Sequence, residues 1–370
     1  MTHPARPVRR PARRGLAALT AAAALLAVGL TQPATAAPDA ADGGQPSGAT
    51  VLSDAWTRPW TISFLPDGRS ALVTERHTYR IFRLDRDGSK TLVGTVPDTV
   101  AGTSTPGVGT GGLLGVAPSP TWNGTTDKRV FFVHTAATET RVARMSYDGS
   151  TLSGYTKVLG GIARGGDHNG GKIAFGPDGY LYVATGDALQ RSLAQDKNSL
   201  NGKILRITKT GAAAPGNPFG TRVYSYGHRN PQGLAWDRSG RLWSAEIGES
   251  RSDELNLIKA GANYGWPTCE GACTVAGMTN PKQTWAPAEG TPSQIAIVRN
   301  VVYVSTLRGQ RLWRVPVDGD TEQVGTKAAY FSGTHGRLRA LAKVPGADEL
   351  WLGTSDRGLG KDRILRVIIK

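Results

Sequence analysis

Residues 173–187 read IAFGPDGYLYVATGD: an apolar strand, a Pro-Asp-Gly turn and a second strand with alternating side chains. Proline and glycine around an aspartate favour a tight turn, so this stretch predicts a β-hairpin. Related stretches occur at 62–75, 116–134, 234–246, 295–307 and 341–356. They recur at intervals of roughly 50 to 60 residues, which indicates one structural unit repeated six times.

A third strand of similar pattern follows each hairpin, at residues 79–84, 140–145, 203–207, 254–258, 311–315 and 363–367. Strands repeated in this way predict an all-β fold, a six-bladed β-propeller. An open ring would leave strand edges exposed, so we expect the apolar stretch 364–369 to pair with an N-terminal strand near Val51. The repeats are longer than a minimal blade, and the additional loops should carry the functional site.

The N-terminal segment is typical of an export signal. Arginines at positions 6, 9, 10, 13 and 14 precede the apolar run 16–30, and Ala34-Thr35-Ala36 offers small residues for cleavage. An apolar run of about 15 residues is shorter than the roughly 20 that span a bilayer. We expect a signal peptide over 1–36, a flexible leader over 37–50, a single propeller domain over 51–370, and a secreted, extracellular protein without a membrane span. The general and twin-arginine export routes both stay open.

The chain is strongly basic. Its formal net charge is +15, and removal of the five signal arginines leaves +10. This charge suits an anionic ligand or surface, although it is also common in basic exported proteins. The positive residues are scattered and form no nucleic-acid motif, so no nucleic-acid partner is expected.

Two cysteines, Cys269 and Cys273, occur in the sequence Cys-Glu-Gly-Ala-Cys. In an exported protein such a close pair favours a small loop disulfide. A zinc site would require four ligands, and no histidine lies nearby.

Two polar segments adjoin the predicted hairpins. The segment 167–171 precedes a hairpin whose far end carries Asp187, so antiparallel pairing should bring Asp187 to His168 and orient its imidazole as a base. The segment 227–233 (GHRNPQG) places Arg229 beside Asn230. Arginine with an amide suits a planar ligand that carries carbonyl and carboxylate oxygens, and a loop-to-strand ion pair is the alternative.

Two further segments indicate ion binding. The carboxylate and amide of 253–256 (DELN), followed by the turn-rich stretch 261–267 (GANYGWP), favour a calcium site with oxygen ligands. Arg337 and Arg339 lie two apart on a predicted strand, so both should point to the same side and attract an anion.

In their order, the strings HNGGKIAFGPDGYLYVATGD (168–187), GHRNPQGLAWD, DELNLI, GANYGWP and GRLR resemble the PQQ-dependent sugar dehydrogenases. This family includes the soluble glucose, aldose sugar and sorbosone-type dehydrogenases. The resemblance implies a propeller that oxidises an aldose at C1 to the lactone by hydride transfer to PQQ. It also implies bound calcium and an external electron acceptor.

Roles follow from the resemblance position by position. His168 corresponds to the general base, Asp187 to the carboxylate that orients it, and Arg229 to a catalytic and PQQ-contacting arginine. The other positions assigned to the cofactor are Asn230, Arg308, Arg337, Arg339, Thr354 and Thr110. A calcium site corresponds to Glu254 and Tyr264, the latter through its backbone oxygen.

Three positions depart from the family pattern. Thr110 stands where the family has Gln or Glu facing the cofactor, and Arg308 stands where Lys is common. Gly248-Glu249 replaces a Gly-Pro pair whose backbone oxygens bind the cofactor calcium.

Two other functions fit a propeller of this kind. A calcium-dependent sugar lactonase would use carboxylate and asparagine ligands around a central channel and would not need the arginines. A non-catalytic carbohydrate-binding propeller would keep the fold without the cofactor.

Overall fold

The computed structural model describes residues 44–102, 109–355 and 358–370. Within these residues, 24 β-strands form six four-stranded antiparallel sheets, together with a short 3-10 helix at Arg191–Ala194. The expected six-bladed β-propeller is confirmed. The predicted signal peptide, 1–36, lies outside the described residues.

Each blade is one sheet, in which the strands follow one another from the innermost to the outermost. Blade I comprises β2 (Pro59–Phe64), β3 (Ser70–Glu75), β4 (Arg80–Asp85) and β5 (Lys90–Thr95). Blade II comprises β6 (Leu113–Pro118), β7 (Arg129–Thr135), β8 (Thr140–Tyr147) and β9 (Leu152–Ile162). Blade III comprises β10 (Ile173–Phe175), β11 (Leu181–Thr185), β12 (Lys203–Ile207) and β13 (Val223–Tyr226).

Blades IV and V follow the same order, whereas the outermost strand of blade VI is the N-terminal strand. Blade IV comprises β14 (Pro231–Trp236), β15 (Leu242–Glu246), β16 (Asp253–Ile258) and β17 (Gln283–Trp285). Blade V comprises β18 (Pro292–Val298), β19 (Val301–Thr306), β20 (Leu312–Pro316) and β21 (Ala328–Tyr330). Blade VI comprises β22 (Leu338–Lys343), β23 (Glu349–Thr354), β24 (Asp362–Ile369) and β1 (Pro46–Trp56).

The N-terminal strand closes the ring, because β1 pairs antiparallel with the C-terminal strand β24. Val51 lies opposite Leu365, as the sequence predicts. The pairing begins at Pro46, so residues 46–50 belong to the propeller and not to the flexible leader. The composition of residues 46–50 does not indicate a strand, because most side chains of this outermost strand face solvent. Backbone hydrogen bonds hold the strand in place.

Apolar side chains fill the space between neighbouring blades. Six clusters of buried hydrophobic residues occur among the described residues, and each combines side chains from at least two adjacent sheets. At the junction of blades VI and I, for example, the rings of Trp351 and Phe64 lie 4.6 Å apart. Such packing makes each blade dependent on both neighbours.

Loop positions follow from the strand order. The first two strands of each blade are antiparallel, so the residue before the first strand and the residue after the second lie at the same end of the ring. The Pro-Asp-Gly turn between β10 and β11 lies at the other end. Its Gly179 adopts a φ of +78°, and its N–H donates to the carbonyl of Gly176 at 2.9 Å.

Cys269 and Cys273 form the expected disulfide. Across the ranges that the structure describes, no helix has the length and apolarity required to cross a bilayer.

We expect a variant that begins at residue 51 to melt at least about 3 °C below one that begins at residue 44. The shorter chain loses half of the seam, including the Gly44 carbonyl that accepts hydrogen bonds from Tyr303 and Arg314. Thermal unfolding of the two variants measures the difference. Equal melting temperatures would show that residues 44–50 do not contribute to closure.

Candidate active site

A cavity of about 440 Å³ opens where the loops of all six blades meet. Its lining combines positive side chains with fewer negative ones. The cations are Arg58, Arg76, Arg229, Arg308, Arg337 and Arg339, and the carboxylates are Asp167, Glu249 and Asp253. An excess of guanidinium groups over carboxylates favours a multiply charged anion as the ligand.

A second cavity of about 420 Å³ lies at the opposite end of the ring, between blades III and IV. Its charged groups are engaged with one another or with neighbours: Arg241 binds Asp237 at 2.7 Å, and Asp178 binds Arg206 at 2.8 Å. We therefore place the candidate active site in the first cavity.

His168, which lines this cavity, forms a hydrogen-bonded pair with Asp187. The imidazole Nδ1 lies 2.8 Å from the Asp187 carboxylate, which is fully buried, whereas the His168 side chain is 15% exposed. Asp187 also accepts hydrogen bonds from the Leu189 N–H at 2.9 Å and the Trp266 indole at 2.8 Å. Burial would raise the pKa of Asp187, but the hydrogen bond and charge interaction with His168, together with the bonds from Leu189 and Trp266, outweigh burial and lower the pKa. The carboxylate thus stays ionised and fixes the imidazole with Nε2 as its acceptor.

The loop that carries His168 is held by tight backbone contacts. His168 has a φ of +57°, and a Cβ on Gly186 would lie 1.9 Å from the His168 carbonyl oxygen, so only glycine fits there. The Asn230 carboxamide accepts the Gly170 N–H at 3.1 Å. On the other side, the Thr110 hydroxyl accepts a hydrogen bond from Asn169 at 3.2 Å. Thr110 and Asn230 line the cavity and also support the loop of the candidate base.

A second histidine–carboxylate pair lies beneath the cavity. His228 Nδ1 is 2.8 Å from Glu246, its Nε2 is 2.9 Å from the Ser225 hydroxyl, and the side chain is fully buried. Glu246 also accepts the backbone N–H groups of Arg229 and Asn230. Since both ring nitrogens of His228 are engaged, this pair shapes the loop, and His168 is the better candidate for proton transfer.

Arg229 bridges the cavity and the loop that follows β15. One guanidinium nitrogen donates to the carbonyls of Ile247 at 3.1 Å and Gly248, and the group lies 5.4 Å from the Trp266 ring. Its Nε is buried without a hydrogen-bond partner among the described residues. Burial lowers the pKa of this arginine, and surrounding carboxylates oppose the shift. A buried donor without a protein acceptor suits a ligand oxygen.

The remaining predicted cofactor contacts lie at two places. Arg308, Arg337 and Arg339 line the cavity. Arg339 is 5% exposed and donates to the Gln232 carboxamide at 3.1 Å. Thr354 is not part of the lining: its hydroxyl donates to Asp362 at 2.9 Å and accepts the Arg363 N–H at 2.9 Å, within blade VI.

The predicted calcium ligands lie at two places. Gly248 and Glu249 line the cavity, where the Gly248 carbonyl accepts from Arg229 and the Glu249 carboxylate pairs with Arg191. Glu254 and Tyr264 lie beside a separate cavity of about 10 Å³, close to the volume of one water molecule or ion. The Tyr264 hydroxyl donates to the Leu257 carbonyl, so its backbone oxygen is the group left for a cation.

Glu254 fits a cation site by its environment. It is 7% exposed, and burial together with Glu246 raises its pKa to about 8. Its oxygens accept from the Gly271 N–H at 2.7 Å and the Asn256 amide at 3.0 Å, which leaves a lone pair on each oxygen. Among the described residues no three His, Cys, Asp or Glu side chains converge as a metal site, so further ligands would be backbone oxygens or water.

Sequence reasoning missed Arg58, Arg76 and Trp266 as site residues. Arg58 precedes β2 and Arg76 follows β3, which are the positions that His168 and Asp187 occupy around β10 and β11. Comparison of these positions between repeats would have found both arginines. Trp266 carries no such signal, because its contact with Asp187 depends on a long loop of blade IV.

Comparisons with known proteins identify one family. A sequence profile of the glucose/sorbosone dehydrogenases matches residues 56–366. The aldose sugar dehydrogenase YliI of Escherichia coli K12 is 34% identical over 262 residues, 66% of this chain and 68% of that protein. Quinoprotein glucose dehydrogenase B of Acinetobacter calcoaceticus is 31% identical over 261 residues, 60% of this chain and 52% of that protein. The chain thus spans about two thirds of the first relative and about half of the second.

A solved structure shows similarity over a greater length. The PQQ-bound aldose sugar dehydrogenase of Streptomyces coelicolor is 42% identical, with a TM-score of 0.81. The match covers 88% of this chain and 99% of that one.

Proposed function

We propose that this chain, which belongs to the glucose/sorbosone dehydrogenase family, is a PQQ-dependent dehydrogenase. It would oxidise an aldose at C1 to the lactone. The observation that carries the proposal is a His168–Asp187 pair that opens into a cavity lined by six arginines. The pair provides a base, and the arginines provide a site for an anionic cofactor.

The cavity residues fit PQQ, which is a flat quinone with three carboxylates. Arg337 immediately precedes β22 and Arg339 is the second residue of that strand. Both line the cavity, so they would bind carboxylate oxygens. Arg229 has a buried Nε donor available for a quinone oxygen. A volume of about 440 Å³ lies in the usual range for cofactor sites. The Gly248 carbonyl could bind an associated calcium only after Arg229 turns away from it.

When bound, PQQ would supply the quinone that accepts a hydride. His168 Nε2 would remove the proton of the sugar C1 hydroxyl as the hydride leaves C1, and a C1 carbonyl, the lactone, results. Asp187 holds Nδ1–H and stabilises the imidazolium that forms. Guanidinium groups already fixed around the cavity need little rearrangement as negative charge develops on the acceptor.

The arginine lining favours the dehydrogenase over the two alternatives. A calcium-dependent lactonase would use carboxylate ligands at the central channel, whereas arginines outnumber carboxylates there. A non-catalytic sugar-binding propeller would have no need for a base that a buried carboxylate orients.

The proposal is tested by reconstitution with PQQ and calcium. We expect one PQQ per chain with a bound-quinone absorbance that bleaches on addition of an aldose. Arg339→Ala should weaken PQQ binding at least about tenfold, because a charge-assisted hydrogen-bonding group is lost. Arg366→Ala is the matched control, since Arg366 pairs with Glu349 on the outer part of blade VI. Failure of the parent protein to bind PQQ would refute the proposed function. Equal PQQ affinities of Arg339→Ala and Arg366→Ala would show that Arg339 does not bind a PQQ carboxylate.

We expect His168→Ala to lower turnover by at least about 100-fold, the usual effect of losing a general base, while PQQ still binds. Because Asp187 acts through His168, Asp187→Asn combined with His168→Ala should be little worse than His168→Ala alone. Steady-state kinetics and PQQ titration of the parent, His168→Ala and the double variant measure these effects. Turnover close to that of the parent in His168→Ala would remove this residue from the mechanism.

We also predict a structural calcium ion at Glu254 and the Tyr264 carbonyl. Since the ion would bind only the folded state, added calcium should raise the melting temperature, with about 2.7 kcal/mol gained at 100 times the dissociation constant. Glu254→Gln should reduce this rise, whereas Glu139→Gln, on blade II, should not. A melting temperature that responds to neither calcium nor chelator would eliminate the site.

A further inference from the structure

The loop closed by the Cys269–Cys273 disulfide presents one carboxylate to a neighbouring loop. Glu270 lies between the two cysteines, and its side chain is 7% exposed. One of its oxygens accepts the backbone N–H groups of residues 249, 250, 251 and 252, at 2.6, 2.8, 2.9 and 3.1 Å. Successive N–H groups that point inwards form an anion-binding concavity, and in this protein one of its own side chains fills it.

The loop that Glu270 organises forms part of the cavity wall. It connects Glu246 at the end of β15 to Asp253 at the start of β16, and its Gly248 and Glu249 line the cavity. Asp253 accepts the Gly248 N–H at 2.9 Å and so fixes the first half of the loop. No strand pairing holds residues 249–252. Their backbone N–H groups bind Glu270, while the Glu249 side chain pairs with Arg191.

The disulfide loop is itself anchored on the protein. The Cys269 N–H donates to the Gly265 carbonyl at 2.9 Å, and the Gly271 N–H donates to Glu254 at 2.7 Å. A covalent bond between Cys269 and Cys273 limits the conformations of the residues between them. Glu270 is therefore held at a defined position, next to the candidate calcium carboxylate and the cavity loop.

We infer that Glu270 is a positioning residue: held by the disulfide, its carboxylate fixes residues 249–252 in the conformation that the anionic ligand of the cavity requires. Glu270 does not line that cavity and acts through the loop. Its effect on ligand affinity rests on the proposed function, whereas its effect on the backbone does not.

Amide hydrogen exchange of the ligand-free protein tests the backbone part. In Glu270→Ala the peptide that contains residues 248–253 should exchange at least about tenfold faster, because charge-assisted hydrogen bonds are lost. We expect the same increase in Cys269→Ser/Cys273→Ser, because the carboxylate is then no longer held against this loop. Glu270→Gln, which keeps an acceptor oxygen, should show a smaller change. The matched control is Glu139→Gln, since Glu139 binds the Gly161 N–H at 2.6 Å on the outer part of blade II.

Titration with PQQ tests the positioning part on the same proteins. We expect the dissociation constant to rise at least about tenfold in Glu270→Ala and in the double serine variant, and to stay within about twofold in Glu139→Gln. Unchanged exchange in folded variants, or faster exchange without a loss of affinity, would overturn the inference. If Glu270→Ala does not fold, hydrogen exchange and PQQ titration of Glu270→Gln provide the same test. If the parent does not bind PQQ, the proposed function is wrong. The hydrogen-exchange data still show whether Glu270 fixes the backbone of the loop.

Discussion

Backbone hydrogen bonding between β1 and β24 closes the ring and thereby brings the six sets of loops to one cavity. Each blade contributes to the site: Arg58 from blade I, Thr110 from II, His168 from III, Arg229 from IV and Arg308 from V, with Arg337 from VI. The site is therefore not contained in any local segment. Its geometry depends on the seam and on the apolar packing between blades, which fix the distances between side chains far apart in sequence.

Electrostatics explain why the cavity is a place for a ligand. Arginines whose guanidinium groups share one cavity repel each other, and buried charges also lose solvation. Arg76 and Arg339 are 7% and 5% exposed, so both effects apply to them. A polyanion in the cavity, such as the proposed cofactor, would reduce the repulsion. The His168–Asp187 pair in the same cavity would add a base whose orientation is already set, as the proposed oxidation of a sugar hydroxyl would require.

Sequence predicted the parts of the structure that depend on local patterns. Hairpins such as β10–β11 are marked by alternating residues and an Asp-Gly turn, and antiparallel pairing then places Asp187 next to His168. The outermost strands had no comparable signal: Ala328–Tyr330 is three residues long and becomes a strand by pairing with β20. Residues 46–50 are a strand for the same reason. Arg58 and Arg76 resemble surface arginines in sequence, and only ring closure brings them to the cavity.

The most direct test of this account is a crystal structure of the protein reconstituted with PQQ and calcium. We predict one PQQ molecule in the central cavity, with its carboxylates on Arg337 and Arg339 and its quinone carbonyls facing His168 Nε2. PQQ bound outside this cavity, or a quinone turned away from His168, would contradict the assignment of this cavity as the site of sugar oxidation.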